Sequence, residues 1–210
     1  MEWLRAIAEA VALFILLVQL PIPLFWLFVH PAVEFWRRHP RACYYGVGFG
    51  SWGLVALALL GGREWWLAER FSRHPLLALA GAALIGVDLW LLRQVKRGLG
   101  WRVLVGLPEL MPARPAPTAT GQAGGPRSQP PVRASGIYER VRHPRYLGMM
   151  MSWAGAVLLT GATRLAALVA VFMGLAFIIT ELEERELLGR LGEAYAGYRR
   201  RVPRFLPRLR

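Results

Sequence analysis

The sequence predicts an all-α integral membrane protein with about five transmembrane helices, and three observations lead there. Of its 210 residues 55% are apolar and the mean hydropathy is positive, which is outside the range of ordinary soluble domains. Five apolar stretches, residues 6–29, 43–60, 75–92, 146–160 and 164–180, reach or approach the roughly 20 residues that carry a helix across a hydrocarbon core. The cations are unevenly divided between the connecting loops, as expected where topology is set by Lys and Arg.

Each element has its own signal. The first stretch is too long for the apolar part of a signal peptide, has only Arg5 as an amino-terminal cation and meets no small-residue cleavage site, so it reads as a mature helix kinked near Pro21 and Pro23. Glu9 and Gln19 mark a polar stripe on it that faces other helices. The second stretch opens with Cys43, the single cysteine, which excludes an internal disulfide and reads as a buried inert thiol. After it, residues 61–71 set Trp65 and Trp66 among charges, the pattern of a segment at headgroup level. Asp88 lies about a turn from the end of the third stretch. It is either an interfacial carboxylate paired with Arg93 or Lys96, or a group facing a site.

Residues 112–135 are dominated by Pro, Gly, Ala, Thr and Ser, too poor in large apolar side chains to form a core, and are expected to be a mobile loop acting as a lid or a spacer. The last two stretches are joined by Gly161-Ala162-Thr163, which predicts an antiparallel helical hairpin. Three regions result: three amino-terminal transmembrane helices over 1–97, a loop over 98–135, and the hairpin with its charged tail over 136–210.

With five helices, segments 30–42, 93–145 and 181–210 share one side and hold most of the 26 Lys and Arg. The other side has Arg5, Arg63, Arg70, Arg73 and Arg164. The carboxyl terminus is therefore expected in the cytoplasm. A net charge of +13 is accounted for by topology and anionic lipid headgroups, without nucleic acid. Four histidines and no cysteine cluster leave no zinc-type spacing, so no metal is expected.

All four histidines precede a proline, at residues 30, 39, 74 and 143. Proline suits the first helical position and Arg or His anchors at an interface, so the dipeptide has a structural explanation. The last copy differs in its company. Gly136 and Tyr138 precede it, Tyr146 and Gly148 follow it, and antiparallel packing brings Arg142, His143 and Tyr146 to the same end as Glu181, Glu183 and Glu184. Glu181 with Arg185 and Glu186 with Arg190 also fit plain ion pairs on a helix surface, and Met149, Met150 and Met151 read as packing residues. Arg can grip a carboxylate, Glu an ammonium or ribose hydroxyls, and an aromatic ring a sulfonium or adenine. S-adenosylmethionine carries all of these groups.

At these residues the chain resembles the isoprenylcysteine carboxyl methyltransferase family and, more distantly, the phospholipid N-methyltransferases. The similarity runs from about Gly98 to Pro207, through G-x-Y-x-x-x-R-H-P-x-Y-x-G from Gly136, then E-E-x-x-L from Glu183 and a tail with Tyr195, Tyr198, Val202 and Pro203. The resemblance implies a membrane enzyme whose carboxyl-terminal hairpin and cytoplasmic tail enclose S-adenosylmethionine while a lipid-like or prenylated acceptor enters from the bilayer. It implies that Tyr138, Arg142, His143, Tyr146, Glu183 and Glu184 contact or frame the cofactor and that Tyr195, Tyr198 and Arg199 close it from the tail. The product would be S-adenosylhomocysteine. A carboxylate acceptor, which the tail favours, needs no base; an amine must lose a proton, for which His143 or Glu184 is at hand. An aminophospholipid and a small thiol are the other acceptors in view. Two rival readings stand beside this one: a membrane sterol-type reductase using NADPH, and a noncatalytic protein whose basic motifs only set topology.

Overall fold

The structure, a computed structural model, describes residues 2–71, 74–104 and 135–207, with the side chains of 98–104 left aside. The Pro- and Gly-rich segment expected to act as a lid or spacer lies outside the described residues, apart from Ser135. Among them no strand forms, and the one β-bridge joins Arg70 to Ala162. Helix α1 (Glu2–Gln19) gives way at the predicted kink to α2 (Pro21–Val29), then α3 (Val33–Arg38) and the short α4 (Pro40–Ala42). A π-helical turn, Cys43–Gly48, leads into α5 (Phe49–Gly61), followed by α6 (Arg63–Ala68), α7 (Pro75–Leu104), α8 (Pro144–Thr160) and α9 (Thr163–Arg201).

Among the described residues four helical segments are long and apolar enough to cross a membrane: Glu2–Arg38, Pro40–Gly61, Pro75–Arg97 and Thr163–Arg201. Large apolar side chains such as Phe14, Leu57, Leu79 and Val171 point outward on them, as lipid-facing residues do. The chain is thus a multi-pass membrane protein. The fifth apolar stretch, α8, has 17 residues and is wrapped by protein: Met149, Trp153 and Ala156 are fully buried.

The expected pairing of the last two helices takes an unequal form. Helix α8 packs most extensively on α7 and next on α1, with less contact to α9. Glycine makes the α7 crossing possible, because a Cβ on Gly155 would stand 2.6 Å from the Gly81 carbonyl oxygen and 2.9 Å from Ile85 Cγ1. Small residues that let backbones touch are how helices associate where lipid supplies no hydrophobic drive. Gly161 ends α8 in the left-handed region (φ 66°), its N–H returning to the Val157 carbonyl at 2.7 Å.

Proline opens a helix after His39, His74 and His143, as the sequence suggested, while Pro31 is the second residue of the short 3-10 turn His30–Ala32. The expected polar stripe on α1 is also present. Glu9 pairs with Arg5 and Arg70, while Gln19 turns to α7 and α8. Around α6 the interfacial segment clasps the α8–α9 turn: Phe71 N–H donates to Gly161 O at 2.9 Å, Thr163 N–H to Glu69 O at 3.0 Å, and Arg164 stacks over Trp65 at 4.4 Å. Cys43 is fully buried beside Phe25 and Val29.

Replacing Gly155 with Val should cost about 1–3 kcal/mol through overpacking against α7 and lower the thermal unfolding midpoint in detergent. Gly174→Ala, at a position with open space around it, should leave the midpoint unchanged or raise it slightly.

Candidate functional site

Backbone and side chains converge where α8 begins. His143 is held with φ −120° and ψ 60°, an extended-side conformation imposed by the following proline, which then starts α8. The tail returns to this point after α9. Arg142 N–H donates to Pro203 O at 2.9 Å and His143 N–H to Arg204 O at 3.0 Å. Its return depends on Gly192, whose φ of 52° and ψ of −132° break the helical path inside α9; only glycine adopts that conformation at low cost.

Glu184 sits at the centre of the joint with no solvent exposure. Its carboxylate meets His143 Nε2 at 3.0 Å, Arg142 Nη2 at 2.9 Å, Arg199 Nε at 3.0 Å and Arg204 Nη2 at 3.1 Å. A buried carboxylate survives only when hydrogen-bonded and paired to this degree. Arg204 also reaches Glu181, and although burial lowers its affinity for the proton, hydrogen bonds to Glu184 and Glu181 outweigh that and hold the guanidinium above its usual range. The helix-surface pair Glu181–Arg185 forms as well, at 3.2 Å. Glu186 goes beyond its expected partner Arg190, meeting His30 Nδ1 and Arg37 Nη2, each at 3.1 Å.

Beside this joint lies a cavity of about 750 Å³. Five of the predicted residues line its polar end: Tyr138, Arg142, His143, Tyr146 and Glu183. The other four stand behind it. Glu184 anchors Arg142 and His143 from beneath, Arg199 bonds to Glu184, and Tyr195 and Tyr198 pack on each other at 5.8 Å while the Tyr198 hydroxyl donates to Tyr138 O at 2.8 Å. Burial, reinforced by the charge of Glu183, pushes the Tyr138 phenol far up, so it is a neutral donor at any physiological pH.

The rest of the cavity wall was not foreseen. Phe25, Trp26, Tyr44, Phe49 and Trp52 from α2, the π-helical turn and α5 make it aromatic, although this half of the chain has no motif. Asp88 also departs from expectation. Its partners are Arg145 Nη1 (2.8 Å), Gln19 Nε2 (2.8 Å) and Ser152 Oγ (2.9 Å), in place of Arg93 or Lys96. The register of α7 against α8 turns the carboxylate inward, where it is 2% exposed. A charge inside an apolar run was the available signal, while Arg145 occupied a variable place in the motif.

Removing the Glu184 carboxylate leaves several guanidiniums without their shared anion. Glu184→Ala should cost about 3–5 kcal/mol, read as a drop in unfolding midpoint, and should free the tail to faster proteolysis.

Residues 118–193 match the family model described as phospholipid methyltransferase. Among curated proteins, methanethiol S-methyltransferase 2 of Bradyrhizobium diazoefficiens is 32% identical over 137 residues, 59% of this chain and 48% of that protein. Methanethiol S-methyltransferase 1 of the same organism is 34% identical over 87 residues, 41% of this chain and 28% of the relative. The methanethiol S-methyltransferase of Mycobacterium tuberculosis is 34% identical over 84 residues, covering 40% and 34% of the two chains. The chain thus aligns with less than half the length of each of these relatives, and no solved structure matches it. The carboxyl-terminal part of the chain is thus similar to the phospholipid methyltransferase family and to proteins named methanethiol S-methyltransferase.

Proposed function

We propose that this protein is an S-adenosylmethionine-dependent methyltransferase whose acceptor is apolar and reaches the cavity from the bilayer. The observation that carries the reading is one cavity with two chemistries. Its polar end holds a carboxylate, an imidazole, guanidiniums and a phenol, and its other wall is aromatic. The residues suit the cofactor: Glu183 is a carboxylate with 26% of its side chain exposed, fit for an ammonium, and aromatic faces suit a sulfonium and an adenine. A volume of about 750 Å³ lies within the span usual for small-molecule sites.

Tyr138, His143, Tyr146 and Glu183 would contact the cofactor, with Arg142 framing that end of the cavity; Glu184, Tyr195, Tyr198 and Arg199 would hold those residues in place. The cofactor, when bound, supplies an electrophilic methyl group. The chain's own contribution is to align the acceptor with it and to exclude water. Glu184 is saturated by cations, so it serves as the anchor of His143 and Arg142, and any proton to be removed falls to His143 Nδ1, which stands 3.6 Å from Glu183 Oε2. The cation distribution favours a cytoplasmic location for this end of the molecule.

The relatives named for methanethiol favour a thiol acceptor, which must be deprotonated to attack. The size of the aromatic wall favours a second reading, a lipid-like or prenylated carboxylate that needs no base. The phospholipid amine remains the third acceptor.

Calorimetric titration of the detergent-purified protein with S-adenosylhomocysteine should show saturable binding that is lost in His143→Ala. Absence of binding by a folded wild type, with saturable binding of NADPH, would transfer the protein to the reductase class. With a thiol acceptor turnover should climb with pH as thiolate forms, whereas a carboxylate acceptor should give a flat profile above about pH 5.

A further inference from the structure

Arg142, the motif arginine, has little left to offer a ligand. Nε and Nη2 bond to Glu184, and Nη1 donates to the carbonyls of Arg199 at 2.8 Å and Val202 at 2.6 Å. Of its five N–H groups four are thereby engaged. Three residues on, Arg145 lines the same cavity, and among the described residues its hydrogen-bond partner is Asp88 alone, through Nη1. Most of its donor fork is therefore uncommitted, and its side chain is only 19% exposed.

The fork is also aimed. Asp88 is fixed by Gln19 and Ser152, which themselves hydrogen-bond at 2.8 Å, so α1, α7 and α8 all contribute to the seat of Arg145. No Cβ fits at Gly148, which a Cβ would bring against Asp88 Oδ1; the close approach of the two helices keeps the carboxylate where it is. On the cavity wall Tyr138 feels both Glu183 and Arg145, with opposite effects on its phenol. An anionic and a cationic side chain thus flank one tyrosine, the complement of a zwitterion.

We propose that Arg145, oriented by the Asp88–Gln19–Ser152 cluster, is the group that binds the ligand's carboxylate, and that this carboxylate belongs to the amino-acid end of the cofactor, with Glu183 taking the ammonium. The inference rests on the methyltransferase reading. Arg145 is a binding residue; Asp88, Gln19 and Ser152 are positioning residues. Arg142 is assigned to the architecture of the tail.

The test compares two ligands by calorimetry: S-adenosylhomocysteine, and 5′-methylthioadenosine, the same nucleoside thioether without the amino acid. Arg145→Gln should raise the Kd for S-adenosylhomocysteine about tenfold or more, as expected for a lost charge-assisted pair, and leave the Kd for 5′-methylthioadenosine within about twofold. Asp88→Asn should move the same ratio in the same direction by less. Where Arg145→Gln does not fold, Arg145→Lys, which keeps the charge and loses the fork, must show the selective loss. Equal weakening of both ligands makes Arg145 a structural residue and overturns the proposal. Unchanged affinity for S-adenosylhomocysteine, including the case where the acceptor KM rises instead, overturns the assignment to the cofactor. A wild type that binds neither ligand defeats the methyltransferase reading itself, a result distinct from either.

Discussion

One carboxylate with no access to water governs the carboxyl-terminal half. Glu184 draws in His143, Arg142, Arg199 and Arg204, which belong to three separated pieces of chain: the entry to α8, the end of α9 and the tail beyond it. A buried anion must be satisfied or expelled, so these pieces close on one another. The backbone bonds from Arg142 and His143 to the tail, the packing of Phe205 on Phe177 and the bend at Gly192 all serve that closure. The polar end of the cavity is its outer surface.

A second buried carboxylate does comparable work across the membrane part. Asp88 ties α7 to α1 and to α8, and the touching glycines of α7 and α8 set the distance at which it does so. The two anions divide the labour between neighbouring arginines in one short run. Arg142 is consumed by the fold, and Arg145 keeps donors facing the cavity.

What the sequence revealed follows from what short-range patterns can encode. Apolar length located every long helix, Pro21 located the break after Gln19, and the charged cluster with its tyrosines located the polar end of the cavity. Arg142, His143 and Glu184 met as expected because antiparallel order fixes which ends coincide. Partner choice inside the membrane was another matter. Asp88 chose Arg145 over Arg93 or Lys96, a decision made by the register of two helices 57 residues apart in the chain and invisible to local spacing. The aromatic wall was hidden for a related reason: Phe25, Trp26, Tyr44, Phe49 and Trp52 look like ordinary membrane residues until folding turns them toward one space. Helix α8 read as one arm of a hairpin with α9, yet glycines at positions 81 and 155 bring it most closely onto α7.

The Asp88 cluster also bears on how the chain is assembled. Gln19 emerges from the ribosome before Asp88, but Ser152 and Arg145 come 64 and 57 residues after it. Until α8 follows, the cluster holds only the amide of Gln19 against that carboxylate. Arrival of α8 then brings the guanidinium of Arg145 and the hydroxyl of Ser152. The polar group that α7 carries into the bilayer is thus completed by the helix that docks on it last, and separating the two helices again would strip a buried carboxylate of most of its partners.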